Sequence, residues 1–245
     1  MALIEACVDS YESCRAAYLG GADRFELCGQ LLIGGVTPSP ALFEQVKRDF
    51  PVKINVLIRP RGGDFLYSET EIEQICEEIK LFRALGADGV VIGALRADGS
   101  LDVENMRRFI GLADGMHITL HRAFDKVRDP LETLELAVSL KVNTILTSGQ
   151  MPNAVEGASL LKELQRRASG RITVMVGGGV RADNLQILHE QTGISVFHTS
   201  CRKRVKSGMQ FVRGEVNTGS VPEDEIFVTD EAEFSRCARI VHSFV

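Results

Sequence analysis

Ala2-Leu3-Ile4-Glu5-Ala6-Cys7 opens the chain as a short apolar run, broken at Val8-Asp9-Ser10 and followed by a helix-like segment. The same grammar recurs at Arg24–Cys28, Val52–Arg59, Gly89–Ala94, His117–Ala123, Asn143–Ser148, Ile172–Gly177 and Ser195–Ser200. Eight βα units in series predict an α/β fold, a parallel sheet closed into a (β/α)8 TIM barrel with its helices outside. The runs are rich in Val and Ile on both faces, as strands between helices and a filled barrel interior must be. An open doubly wound sheet would usually follow its first strand with G-x-G-x-x-G. Cys7-Val8-Asp9-Ser10 has no glycine, so the barrel is favoured.

Helix boundaries support the same reading. Ser39-Pro40 and Asp129-Pro130 place a capping side chain before a proline at the first helical position. Ser68-Glu69-Thr70-Glu71 reads as a capping box. Between 70 and 85, Ile72, Ile75, Ile79, Phe82 and Leu85 recur at helical spacing. Glycines at Gly20-Gly21, Gly86 and Gly193 stop helices before the next strand. No linker divides residues 1–245, which read as one barrel domain. Residues 201–230 form an extended polar segment before a last helix near 231–243. A connection that long in a compact barrel covers the mouth or makes a subunit contact.

The 245 residues suffice for a large core, and 44% hydrophobic with 25% charged residues is ordinary globular composition. Net charge is −5, which points away from nucleic acid. Arg202-Lys203-Arg204 reads as a solvated patch, with an anionic ligand as the alternative. No apolar stretch is long enough for a membrane span, and no secretory signal is visible. The six cysteines lack zinc-like spacing and suggest reduced thiols in a cytoplasmic protein.

A barrel works at the C-terminal ends of its strands. Alternation puts Glu5 with Cys7, Glu26 with Cys28, Asn55 with Leu57 and Arg59, Thr119 with His121, and Val196 with His198 and Ser200. Cys7 and Cys28 hold equivalent places on neighbouring strands about 4.8 Å apart, a spacing two thiolates need to hold one soft cation such as Cu(I). Buried cysteines also simply fill space. Glu5 and Glu26 inside strands need partners, and Arg59 is the obvious cation. They form either a structural ion-pair layer or, with His121, a set of acid/base candidates. Gly177-Gly178-Gly179 after the seventh strand suits anion binding through backbone N–H groups, with Ser148 adding a hydroxyl. The alternative is a tight turn.

Arg59-Pro60-Arg61-Gly62-Gly63-Asp64-Phe65, His121-Arg122-Ala123-Phe124-Asp125 and Leu146-Thr147-Ser148-Gly149-Gln150 resemble the copper homeostasis protein CutC family. Glu5-Ala6-Cys7, Gly21–Cys28, Gly34–Ser39, Gly177–Leu185 and His198–Cys201 fit the same pattern. The resemblance implies a cytoplasmic TIM barrel, often a homo-oligomer, associated with copper tolerance and Cu(I) binding. It puts the copper-binding cysteines at Cys7 and Cys28. A second expectation is an enzyme acting on a small anionic or phosphorylated metabolite. There Glu5, Glu26 and His121 are catalytic. Arg59, Arg61, Arg122, Asp125, Ser148, Gly177, Gly178, Gly179, His198 and Ser200 bind the ligand. A third is an oligomeric scaffold with a vestigial mouth.

Overall fold

Strands β1 (Leu3–Val8), β2 (Arg24–Leu27), β3 (Lys53–Leu57), β4 (Gly89–Ile92), β5 (His117–Leu120), β6 (Thr144–Thr147), β7 (Thr173–Val176) and β8 (Val196–Thr199) pair in chain order, all parallel. β8 closes on β1 with Glu5 opposite His198, which completes the predicted eight-stranded barrel. The computed structural model describes residues 2–211, 213, 216 and 224–244.

Seven helices follow the first seven strands: α1 (Tyr11–Leu19), α2 (Pro40–Asp49), α3 (Glu69–Ala84), α4 (Val103–Leu112), α5 (Pro130–Ser139), α6 (Ala158–Ala168) and α7 (Leu185–Thr192). Their starts are fixed by side chains that satisfy otherwise unpaired backbone N–H groups. Ser39 accepts from Leu42, and Asp129 accepts from Leu131 and Glu132. Ser68 and Glu71 exchange both bonds of the predicted capping box. The apolar stripe of α3, Ile72, Ile75, Ile79 and Phe82, is buried. Each such side chain contributes about 1.5–3 kcal/mol relative to an exposed one.

The main core lies between strands and helices, anchored by the fully buried Phe25, Phe43, Phe82, Phe109, Phe124, Phe197 and Phe234. A separate, small apolar cluster of Cys7, Cys28, Leu57 and Val91 sits elsewhere. Its members share the inward parity of their strands, so it fills the barrel interior beneath the mouth.

After β8 the chain turns at Cys201, at positive φ, into an antiparallel hairpin. β9 (Arg202–Lys206) pairs with β10 (Glu225–Thr229), and α8 (Glu231–His242) follows, packed on α1 and β1. The segment expected to be simply extended therefore carries its own strand pair at its ends. Residues 212, 214, 215 and 217–223 of it lie outside the described residues. No described helix is long and apolar enough to cross a membrane.

Candidate functional site at the barrel mouth

Register builds the deepest charged layer. Glu5 is opposite Arg24 on β2 and opposite His198 on β8, so both neighbouring strands give it a cation. Arg24 Nε donates to Glu5 Oε2 at 2.5 Å, and His198 Nδ1 lies 2.9 Å from Glu5 Oε1. Asn55 Nδ2 adds a longer bond to Glu5 Oε2 at 3.4 Å. Burial works to raise the Glu5 pKa, but His198 and Arg24 outweigh it and hold the carboxyl below its usual 4.5. The partner expected from the sequence, Arg59, does not reach these carboxylates. Arg24 takes that place because the sheet register sets it directly beside Glu5.

One layer higher, Cys7 is opposite Glu26. Cys7 Sγ is 3.8 Å from Glu26 Oε1, and His198 Nδ1 is 3.8 Å from Glu26 Oε2. One potential ligand atom from each of Cys7, Glu26 and His198 falls within 4.8 Å of the other two. Burial pushes Glu26 up to about 7, against the pull of His198. Contact with the Cys28 thiol, then burial, raises Cys7 well above 9.0, so it is a neutral thiol at pH 7. Burial opposes charge on His198, yet its pKa is raised well above 6.5. Since Cys7 is neutral there, ionised Glu5 at 2.9 Å is the main charge that keeps the imidazolium, and Glu26 adds to it as it ionises. Cys28 packs beside Cys7 but bonds to Val8 O at 3.4 Å and does not border the mouth cavity.

That cavity, about 290 Å³, is bordered by Cys7, Glu26, Arg59, His121, His198 and Arg202, among others. Side chains scattered along the polypeptide thus converge in one concavity. On the β3 and β5 side the chemistry differs. Arg59 is buried and has no carboxylate partner among the described residues. Its guanidinium donates to Gly34 O, Gly35 O and Gly63 O at 3.2, 3.0 and 2.6 Å. Gly34, Gly35 and Gly63 all have positive φ, which lets two turns present carbonyls to one cation. Arg59 also stacks over Phe65, 4.8 Å from the ring centre, and its Nε has no partner.

His121 accepts from Ala123 N through Nδ1 at 3.1 Å, which places the ring proton on Nε2. That Nε2 is buried and unpartnered. Burial, then the charge of Arg59, push His121 down to about 3. The sequence offered His121 as a proton-transfer group near neutral pH. The structure corrects this: it is a neutral, fixed N–H donor.

Other expected ligand residues are used structurally. Arg61 faces away, bonded to Glu71 Oε1 at 2.5 Å and Asp64 Oδ1 at 3.0 Å, because it follows Pro60 onto the outer face near α3. Asp125 accepts from Thr147 Oγ1 at 2.5 Å, Ser148 N at 3.1 Å and Gln150 N at 3.2 Å. It also pairs with Arg122 Nε at 2.7 Å, while Arg122 Nη2 donates to Ser148 Oγ at 2.8 Å. The His121–Asp125 and Leu146–Gln150 motifs are therefore two halves of one loop knot. Asp125, Ser148 and Gly177 do not border the cavity, whereas Arg122, Gly178, Gly179, His198 and Ser200 do. A Cβ on Gly177 would lie 2.6 Å from Leu146 Cδ1, so that glycine makes room for the Leu146 side chain, with the His198 ring next at 3.4 Å.

The sequence reading missed Arg24, and it offered Arg202 only within a patch whose first reading was solvated surface. Arg24 shares parity with Glu26, a signal that was available. Arg202 enters the mouth only because β9 folds back, while its neighbours Lys203 and Arg204 are exposed as the solvated-patch reading held.

A closed parallel eight-stranded barrel with helices outside is a (β/α)8 barrel, and this one gathers buried thiol, carboxylate and imidazole groups at its mouth. The CutC family pattern matches residues 2–203. The human copper homeostasis protein cutC homolog is 46% identical over 231 residues, covering 93% of this chain and 85% of the human one. A CutC family protein of Bacteroides fragilis is 45% identical over 218 residues, 89% of this chain and 87% of its own. The solved structure of CutC from Streptococcus agalactiae, 30% identical, superposes with a TM-score of 0.78 over 82% of this chain and 99% of that one. The chain belongs to the CutC family.

Proposed function

We propose that the protein serves copper homeostasis by binding Cu(I) at the barrel mouth, with Cys7 as the central soft donor. The observation that carries this reading is the cluster of Cys7, His198 and Glu26 ligand atoms within 4.8 Å of one another. Cu(I) prefers thiolate and imidazole to carboxylate. Cys7 and His198 supply one of each, and Cys28 stands beside Cys7 as a second sulfur. Glu5 bonds to His198 Nδ1 and so orients the ring, the usual outer support of a metal-binding imidazole. All six cysteines are free, in keeping with a reducing, cytoplasmic setting. The human relative's designation as a copper homeostasis protein supports the same cargo.

Copper is the cargo, so loading is an exchange: the Cys7 proton and one proton of the His198 imidazolium must leave when the metal arrives. The test is anaerobic Cu(I) titration against a competing chelator. Wild type should take one tight equivalent, and Cys7→Ser/Cys28→Ser should lose it. Unchanged tight binding in the double variant would remove these sulfurs as ligands.

A further inference from the structure

We propose that the mouth also binds a small phosphorylated organic anion, its phosphate at the ends of β7 and β8 and its remaining oxygens at the ends of β3 and β5. This goes beyond copper, because the groups concerned are cations and N–H donors, which repel a metal ion.

At the phosphate pole, the backbone N–H groups of Gly178, Gly179 and Val180 donate to no protein acceptor among the described residues. All three residues border the cavity. Gly178 and Gly179 have φ of +94° and +76°, and no side chain of their own shields their amides. Consecutive free amides of this kind attract oxyanions. Arg202 borders the same space, its Nη1 is buried without a partner, and it pairs with no carboxylate among the described residues. Arg122 is close by, but Asp125 already offsets its charge.

At the other pole stand two unfilled donors on side chains about 95% buried: His121 Nε2, with exposure 5%, and Arg59 Nε, also 5%. Both residues border the cavity. Both donor atoms are closed to solvent here, so a ligand oxygen reaches them as the side chains turn toward the cavity their residues border, and filling them recovers about a hydrogen bond each. Arg59 and Arg202 bring positive charge that no described carboxylate offsets, which sets the sign of those oxygens. Two separated oxyanion poles in about 290 Å³ fit a short phosphate ester bearing a carboxylate or carbonyl.

The test uses metal-free protein, with a Cu(I) chelator present, and calorimetric titration with 2-phosphoglycolate, inorganic phosphate and glycolate. Its outcome is therefore independent of the copper titration. We expect saturable binding of 2-phosphoglycolate, about tenfold or more tighter than either half-ligand. His121→Asn keeps an oxygen to accept from Ala123 N but removes the Nε2 donor. It should weaken 2-phosphoglycolate and glycolate about tenfold and leave phosphate unchanged. Arg202→Gln should weaken 2-phosphoglycolate and phosphate and leave glycolate unchanged. Melting curves check that both variants fold. Absence of saturable binding at millimolar concentration overturns the proposal. So does 2-phosphoglycolate binding no tighter than phosphate, or binding indifferent to both variants, either of which would leave the poles to water.

Discussion

The two sides of the mouth treat charge in opposite ways. On the β1, β2 and β8 side, Glu5 is bonded to both Arg24 and His198, and each group has an opposite charge beside it. On the β3 and β5 side, Arg59 is wrapped in carbonyls and His121 is a neutral ring with an unfilled donor. The first arrangement is closed on itself except at Glu26 Oε2 and the Cys7 thiol. The second is open. A closed ion layer fixes a shape, whereas unfilled donors in a cavity select a ligand. The difference teaches that burial of a charged residue does not itself mark function. What matters is whether its bonding capacity is used.

The largest expected break of this contrast is Glu5→Ala. It strands Arg24, itself only 9% exposed, and removes the support of His198. Breaking a buried pair by deleting one partner costs about 3–5 kcal/mol. Urea denaturation should show that loss, while His121→Asn on the open side should stay close to wild type. Equal losses would mean that the open side is as structural as the closed one.

The closed side also has a pH signature. Glu26 ionises near 4.5 when unfolded and at about 7 when folded, so folding takes up a proton between those values. Stability should therefore fall as pH rises through that window, by up to about 3 kcal/mol, and Glu26→Gln should flatten the slope. Glu5 runs the other way: its share is present above 4.5 and is lost as acid titrates its lowered folded pKa. His198 contributes fully below 6.5 and loses its share only as pH rises through its elevated value, on the alkaline side. Denaturation midpoints from pH 4 to 9 for wild type and Glu26→Gln separate these contributions. A wild-type curve that rises across the acid-to-neutral window would reverse the assignment of Glu26.

Cargo loading sharpens the contrast further, since it draws only on the closed side. With the Cys7 thiol raised above 9.0, each Cu(I) bound must displace at least one proton. With the His198 imidazolium also giving up a proton to ligate, affinity should rise about a hundredfold per pH unit between 6 and 8, tenfold for each proton displaced. Competition titrations at three pH values check this, and a flat profile would mean that neither Cys7 nor His198 gives up a proton to the metal.

The barrel was legible because parallel strands leave a repeated apolar signature: seven predicted runs contain β2–β8, and the first covers β1 except Val8. Parity also placed Cys7, Glu26, Thr119 and His198 inward, since alternation is a local property of extended chain. Partner choice was not legible. Arg24 beats Arg59 for Glu5 through sheet register, which depends on how the barrel staggers its strands rather than on any one segment. Likewise nothing in the sequence shows that the Gly34-Gly35 and Gly62-Gly63 turns close around the Arg59 guanidinium. The tautomer of His121 needed the position of Ala123 N, a detail no spacing rule supplies.

Arg61 gives the smallest and most discriminating comparison. It stands two residues from Arg59, in the same motif, and the sequence offered both as anion holders. Their fates differ because Arg59 still follows the inward parity of β3, whereas Pro60 turns the chain and Arg61 lands against Glu71 at the start of α3. There it is 38% exposed and shares its donors with Asp64, Leu66 and Glu71, in a setting where ion pairs contribute little. Arg61→Met should therefore leave 2-phosphoglycolate affinity within twofold of wild type and the melting temperature nearly unchanged. Arg59→Met should weaken binding and loosen both glycine turns. If Arg61→Met weakened the ligand as much as Arg59→Met, the loop after β3 would have to swing Arg61 into the mouth on binding. The open side would then be a moving part rather than a prebuilt pocket.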